Sequence, residues 1–354
     1  MPTLYVLGAG CSRNYNQCSS PVVGLRPPLD NDFFEMASKV IDHYPLLGYS
    51  GPVHGLDHFL RDLNTVYGQS RSEDSIDVLN MKDISLERVM TYYYMRHEIM
   101  ELGLDFFEPA GARVRTLNNL LAFVITESIM GDTCRKHLRL AKRMGKGDVI
   151  LNFNYDFLMD DALYNAGKFL DSGYVMRFDY TKIDEEWKRV REGPSQVTML
   201  KLHGSLNWVR CSNCGRNLLL RSEESLSALC NAARVMGEKC PKCRSIWLYG
   251  LGRIIVPPFV GKNLKDTDIK YLWNRALDLS EDIERMVVIG YRFSEFDYET
   301  DMLLREMIHN QVTSPDVPID IINPDARSVA SRFRSMYRKS PITLFDSLDS
   351  YLDS

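Results

Sequence analysis

Two C-x-x-C pairs, Cys211–Cys214 and Cys240–Cys243, stand on either side of residues 215–239. Each pair presents two thiolates from one tight turn, and two such knuckles close a tetrahedron around a zinc ion. Four sulfurs leave no open coordination position, so the expected zinc is structural. In a reducing compartment this spacing points to metal before disulfides. Cys230 lies between the pairs without a C-x-x-C partner. The alternative is an emptied or redox-active site.

Outside this segment, fully apolar strands alternate with helical stretches, which implies a parallel sheet covered on both faces. The strands are expected at residues 3–7, Asp148–Phe153, Val197–Leu202, Ile254–Val256, Met286–Ile289, Ile319–Ile322 and Ile342–Phe345. Helical segments between them include Phe157–Asn165, Asp266–Asp282 and Tyr298–Asn310. Between the first two strands, apolar residues recur at helical spacing over Asp32–Tyr44, Leu56–Tyr67, Ser85–Leu102, Val114–Met130 and Thr133–Met144. The loop Gln69–Asp77 is polar. The expected architecture is α/β: a Rossmann-like parallel sheet with helices on both faces, a large helical insertion and a small four-cysteine zinc module. Residues 1–34 form the first βα unit, 35–145 the helical insertion, 146–210 the resumed Rossmann-like domain, 211–250 the zinc module and 251–354 the completing part.

The net charge of −4 argues against broad nucleic-acid or anionic-membrane binding. A basic strip of Arg135, Lys136, Arg139, Lys142, Arg143 and Lys146 reads as a solvated helix face. No stretch approaches the ~20 apolar residues of a membrane span. The N-terminus lacks a basic leader region and runs directly into a strand. A cytoplasmic location is the expectation.

Three further motifs sit at strand ends. Gly8-Ala9-Gly10-Cys11-Ser12 follows the first strand. Its glycines let the backbone turn sharply and approach a diphosphate, although such turns are also ordinary structural devices. The full G-x-G-x-x-G fingerprint is absent, which disfavours an ordinary dehydrogenase. Asn152-Phe153-Asn154-Tyr155-Asp156 ends the second strand, where ligand sites of open α/β sheets lie. Asn154 and Asp156 can hold a ribose or a water there, or simply cap the next helix. In Lys201-Leu202-His203-Gly204-Ser205-Leu206-Asn207-Trp208, His203 stands at a strand's carboxyl end. Histidine is the side chain best poised for proton transfer near neutral pH, and a structural role is the alternative.

Taken in order, these motifs resemble the sirtuin (Sir2) superfamily: a glycine turn with serine, an N-x-D segment, H-G, then paired cysteines. Val288-Ile289-Gly290-Tyr291 and Ile321-Ile322-Asn323-Pro324-Asp325 follow, as in that superfamily. There are departures. Asn152-Phe153 replaces the family's Thr-Gln, and Tyr291-Arg292 replaces the small hydroxyl after Gly290. The peptide-pairing segment of protein deacylases reads Ile255-Val256-Pro257-Pro258-Phe259-Val260-Gly261, without its acidic residue and interrupted by prolines. The phrases N-F-N-Y-D, K-L-H-G-S-L-N-W and V-I-G-Y-x-F-x-x-x-D are closer to the Sir2-like branch of prokaryotic antiphage defence proteins, which generally hydrolyse NAD.

The resemblance implies an NAD glycohydrolase, with NAD as substrate rather than redox cofactor. Asn154 would orient a water and a ribose hydroxyl, His203 would act as general base, and Asp156 would hold the nicotinamide or ribose. Gly8, Ala9, Gly10, Cys11 and Ser12 would cradle the diphosphate. Gly290, Tyr291, Asn323 and Asp325 would receive the adenosine half. An NAD-dependent protein deacylase and a non-catalytic NAD or ADP-ribose module are the alternatives. The resemblance also implies a partner ATPase or phage-sensing protein. The run Tyr92-Tyr93-Tyr94 cannot face one core from a single helix, and it motivates a homo-oligomer or partner interface on the insertion.

Overall fold

The computed structural model describes residues 2–48, 53–67, 84–100, 111–183, 186–190, 193–221, 237–247, 252–256, 266–281, 283–294, 297–309, 314 and 316–354. The loop Gln69–Asp77, Cys230 and the segment Pro257–Gly261 lie outside the described residues.

The chain opens with strand β1 (Thr3–Leu7) and a single helical turn, α1 (Ala9–Ser12). Five helices follow: α2 (Phe33–His43), α3 (Leu56–Tyr67), α4 (Leu86–Met100), α5 (Gly111–Ser128) and α6 (Arg135–Arg143). Then come β2 (Asp148–Asn152), α7 (Leu158–Asn165), β3 (Tyr180–Ile183), β4 (Glu186–Arg189), β5 (Val197–Lys201), β6 (Gly204–Arg210) and β7 (Asn217–Arg221). The last part holds β8 (Gly252–Ile255), α8 (Thr267–Asp278), β9 (Arg285–Ile289), α9 (Tyr298–His309), β10 (Ile319–Ile322), α10 (Ala326–Met336), β11 (Ile342–Phe345) and α11 (Leu348–Asp353).

Six strands pair in the order β11-β10-β9-β1-β2-β5, and every pairing is parallel. This is the Rossmann order: the chain steps from β1 through β2 to β5 on one side, then crosses back to build β9, β10 and β11 on the other. The direction reverses between β1 and β9, and the crevice beyond their carboxyl ends is where such sheets bind ligands. All of β2 and β10 is buried, as a sheet covered on both faces requires.

A second sheet runs β4-β3-β7-β6-β8. Ile254, expected in the parallel sheet, lies instead in β8, which pairs antiparallel with β6. The described strands flanking the cysteines thus make a small layer of their own.

The hydrophobic residues form two cores. One fills both faces of the parallel sheet, from Leu4 and Val6 to Phe333 and Leu352. The other joins the helical insertion to the four-cysteine module, linking Phe59, Tyr93 and Leu121 with Phe157, Leu206, Cys211 and Trp247. Phe153 belongs to the first and Tyr155 to the second, so the N-F-N-Y-D segment lies along the seam.

The insertion is tied to the sheet domain by polar contacts. Arg13, just after α1, donates to the Asp32 carboxylate and to the Pro27 carbonyl oxygen at 2.7 Å. Asp30 receives the Ser85 hydroxyl at 2.9 Å and the Glu87 amide at 2.8 Å, capping α4 from outside its own chain segment. The basic strip of α6 faces α11: Lys136 pairs with Asp349 at 2.5 Å, Arg139 with Asp353 at 2.6 Å, and Arg143 donates to the Tyr351 carbonyl at 3.1 Å. Tyr93 is buried beside Phe59, while Tyr92 stacks between Tyr67 and Tyr93, and the Tyr94 hydroxyl meets Asn118. No helix among the described residues is long and apolar enough to cross a membrane.

Beneath the carboxyl ends of β2 and β5 lies a buried ion pair. Lys201, with no exposed surface, reaches Asp160 at 3.2 Å and donates to the Asp156 carbonyl, while the Tyr174 hydroxyl donates to Asp160. Removing the ammonium leaves a carboxylate stranded in the interior. Lys201→Met is therefore expected to lower unfolding free energy by about 3–5 kcal/mol. Denaturant titration measures it, and a loss below about 1 kcal/mol would show that the pair carries no structural weight.

Candidate functional site

The turn after β1 and the turn after β9 touch backbone to backbone. Gly8 N–H donates to the Ile289 carbonyl at 3.0 Å, and Gly10 N–H to the Gly290 carbonyl at 2.9 Å. Gly290 has φ +61°, and a Cβ there would lie 2.1 Å from the Cys11 nitrogen. A Cβ on Gly10 would lie 2.7 Å from the Gly290 Cα. No side chain fits at either position. Ala9 is exposed, and Gly10 and Gly290 are half-buried, so this rim borders solvent at the switch point.

Beside the rim runs a directional hydrogen-bond chain. Asn154 Nδ2 donates to the Gly8 carbonyl and to Ser12 Oγ, both at 3.0 Å. Ser12 Oγ donates to Asp156 Oδ2 at 2.6 Å, and Asp156 Oδ1 accepts the Leu158 amide at 3.0 Å. The carboxylate at one end sets the polarity of the whole chain. Both Asn154 amide hydrogens are thereby committed, and its Oδ1 is the atom left to accept from a ligand or water. Asn154, Asp156 and Ser12 are all buried. Asp156 precedes the N-cap Phe157 and accepts the first amide of α7 from there.

Behind Ser12, His137 of α6 lies between two thiols. Its Nε2 is 3.4 Å from Cys11 Sγ and its Nδ1 2.9 Å from Cys134 Sγ. Burial pulls the imidazole down to about 4 against the pull of Asp156. Burial, then Asp156 and Cys134, pushes the Cys11 thiol up. The trio is neutral, and Cys11 meets the rim only through its backbone.

His203 occupies the turn between β5 and β6, 3% exposed. Its Nε2 faces Asp297 Oδ1 at 3.5 Å. The other Asp297 oxygen accepts the Tyr291 hydroxyl at 2.9 Å and the Thr300 hydroxyl at 2.8 Å. Two donors hold this carboxylate, which in turn faces the imidazole Nε2 and orients the ring. Rings of Phe153, Tyr155 and Trp273 stand 5.3, 6.2 and 6.4 Å from the imidazole centre. Phe153 also stacks on Tyr291 at 5.0 Å, bridging the His203 pair to the Asn154 segment. Burial, then Asp297, pushes the Tyr291 hydroxyl far up, so it stays a donor. Asp297 ends the V-I-G-Y-x-F-x-x-x-D phrase, yet its partnership with His203 has no sequence signature, because the two are far apart in the chain.

Asn323 and Asp325 stand at the end of β10, farther along the sheet. The Asn323 side-chain oxygen accepts the Asp325 amide at 2.9 Å, forming a local turn, and Asp325 is exposed at the start of α10.

The four cysteines converge. Their sulfurs all lie within 4.8 Å of one another, with Cys211–Cys243 and Cys214–Cys240 at 3.9 Å. Ligands of one tetrahedral zinc stand about 3.8 Å apart, given Zn–S bonds of about 2.3 Å. The residue after each pair, Gly215 and Arg244, has φ +67° and +63°, so the two knuckles repeat one geometry. The Trp247 indole donates to Cys211 Sγ at 3.3 Å and the Asn213 amide to Cys243 Sγ at 3.5 Å. Ser245, then Asn213, pulls the Cys243 thiol down to about 5, whereas burial and its crowded neighbours push Cys214 up to about 12. Four sulfurs this close cannot all ionise alone, and a divalent cation removes the conflict. The donor set fits zinc.

Freshly purified protein is expected to hold about one zinc per chain. Cys240→Ser should lower both metal content and melting temperature, with the insertion loosening too because it shares that core. Metal analysis finding no zinc in well-folded protein would contradict this. Near Asp297, burial first and Asp30 second push the Glu87 carboxyl up to about 7. A raised carboxyl contributes stability below about 4.5 that is lost as pH rises through about 7. Glu87→Gln should therefore gain stability relative to wild type above pH 7, and equal pH profiles in thermal unfolding would contradict it.

No protein-family model matches the sequence, and no curated protein matches it. A search of solved structures finds one described as "Structural Basis for the Mechanism and Regulation of Sir2 Enzymes", with 12% identity and a TM-score of 0.34 over 85% of this chain and 94% of that one. The α/β, Rossmann-like architecture itself stands on strand order and register.

Proposed function

We propose that this chain is an NAD glycohydrolase of the Sir2-like type, releasing nicotinamide and ADP-ribose. The observation that carries the reading is the His203–Asp297 pair beside the Asn154–Ser12–Asp156 chain, gathered beyond the carboxyl ends of β1, β2, β5 and β9. The ordered sirtuin-like motifs supply the substrate class.

The diphosphate lies along Gly8–Ser12, against the exposed edge of the turn at Ala9 and Gly10. The adenosine half extends past Gly290 and Tyr291 toward Asn323 and Asp325. The nicotinamide ribose lies between Asn154 and His203, with Asp156 holding the network that fixes Asn154. The C1′–N bond breaks and its electron pair leaves with neutral nicotinamide. A water oxygen bonds to C1′ from the other side, oriented by Asn154 Oδ1, and the His203 imidazole takes its proton. Asp297 steadies the imidazolium that results. Water is excluded around the pair by Phe153, Tyr155 and Trp273, which strengthens these interactions. Zinc held by Cys211, Cys214, Cys240 and Cys243 braces the insertion side of the site and takes no part in the chemistry. In this reading the chain is an effector of antiphage defence, and its insertion offers a surface to a second copy, a partner ATPase or a phage sensor.

Purified protein incubated with NAD, with and without an acetyl-lysine peptide, tests the reading by chromatography of the products. Nicotinamide and ADP-ribose without peptide are expected. His203→Ala and Asn154→Ala should each lower turnover on the order of 10²–10⁴-fold while retaining the fold. Turnover only with peptide would instead make the chain a deacylase, and near wild-type hydrolysis by His203→Ala would remove the assigned base.

A further inference from the structure

We propose that the helical insertion supplies a positioning residue for the candidate site: Glu87 of α4 holds the turn that presents Asp297 to His203. Its effect on turnover rests on the NAD-hydrolase reading, whereas the contact itself does not. The Glu87 carboxylate accepts the Ser294 hydroxyl across 207 residues of sequence. The Ser294 carbonyl accepts the Asp297 amide at 3.3 Å, so one turn links that contact to the carboxylate facing His203. Glu87 is itself fixed, because Asp30 holds its amide at 2.8 Å and the neighbouring Ser85 hydroxyl at 2.9 Å. From Asp30 through Glu87 and Ser294 to Asp297, each step is a hydrogen bond, and the Glu87–Ser294 step joins the insertion to the sheet domain.

The charged and titratable groups that act on Glu87 are Asp30 from the entry segment, and Arg292 and Asp297 from the β9–α9 connection. Burial, then Tyr94 of α4, Glu87 and Asp297, pushes the hydroxyl of Tyr155 at the seam up. The Glu87–Ser294 contact thus ties α4 to the Asp297 side of His203 without passing through the glycine rim. The second core gives α4 its leverage, since Val89, Met90 and Tyr93 are buried in it.

The test reads His203 directly. Its imidazole is titrated by NMR in protein labelled at histidine, with His203→Gln assigning the signal. Asp297→Asn should lower its pKa by about one unit. Glu87→Ala and Ser294→Ala should shift it in the same direction, and Glu87→Gln, neutral but still able to accept from Ser294, should return it toward wild type. Equal shifts in Glu87→Ala and Glu87→Gln would reduce the effect to charge acting through space and overturn the proposal. So would an unmoved His203 in Glu87→Ala or in Asp297→Asn. If wild type turns over NAD, Glu87→Ala should lower kcat roughly 10- to 100-fold with KM largely unchanged. A wild type without turnover would overturn the hydrolase reading alone, because the titration still decides the positioning role.

Discussion

The contact between the turns after β1 and β9 governs the geometry of everything around it. Gly10 and Gly290 approach so closely that neither tolerates a Cβ, and two amide–carbonyl bonds lock the turns together. That lock puts the carboxyl ends of β1 and β9 in one plane. Asn154 then reaches the Gly8 carbonyl from β2, and Asp297 reaches His203 from the α9 side. A side chain at either glycine would separate the two halves of the sheet where the ligand crevice lies.

A second constraint is the seam between two hydrophobic cores. Polar side chains inside a protein are costly unless fully hydrogen-bonded. Here Ser12, Asn154, Asp156, His203 and Asp297 are buried together, and each satisfies another. The same arrangement joins the helical insertion and the four-cysteine module to the site from one side, since both belong to one core. Structure in the insertion is thus read at the site through packing and through the Glu87–Ser294 contact.

Much of the sheet was legible because parallel strands buried on both faces leave unbroken apolar runs. Ile319–Ile322 and Ile342–Phe345 are strands over the expected residues, and α3 spans Leu56–Tyr67 as its periodicity indicates. β3 and β4 were not legible: Glu186–Arg189 is charged and largely exposed, and β3 is defined by pairing with β7, beyond the first cysteine knuckle. Ile254 carried a strand signal but not its partner, and it joined the second, mixed sheet by pairing antiparallel with β6. At the site, strand ends and glycines marked Gly8, Asn154 and His203. They could not mark Asp297, or the use of the Tyr291 hydroxyl as its donor, because both depend on contacts between distant segments. Glu87 was hidden for the same reason.

On the proposed function, NAD lies across the switch point, with its diphosphate at Gly8–Ser12 and its nicotinamide ribose between Asn154 and His203. A crystal structure of the full chain with a carbocyclic, non-hydrolysable NAD analogue tests it most directly. Electron density is expected for the diphosphate against the Gly8–Ser12 turn and for the ribose mimic within hydrogen-bond reach of Asn154 Oδ1. Analogue bound elsewhere, against the helical insertion or the four-cysteine module, with the switch point empty, would contradict it.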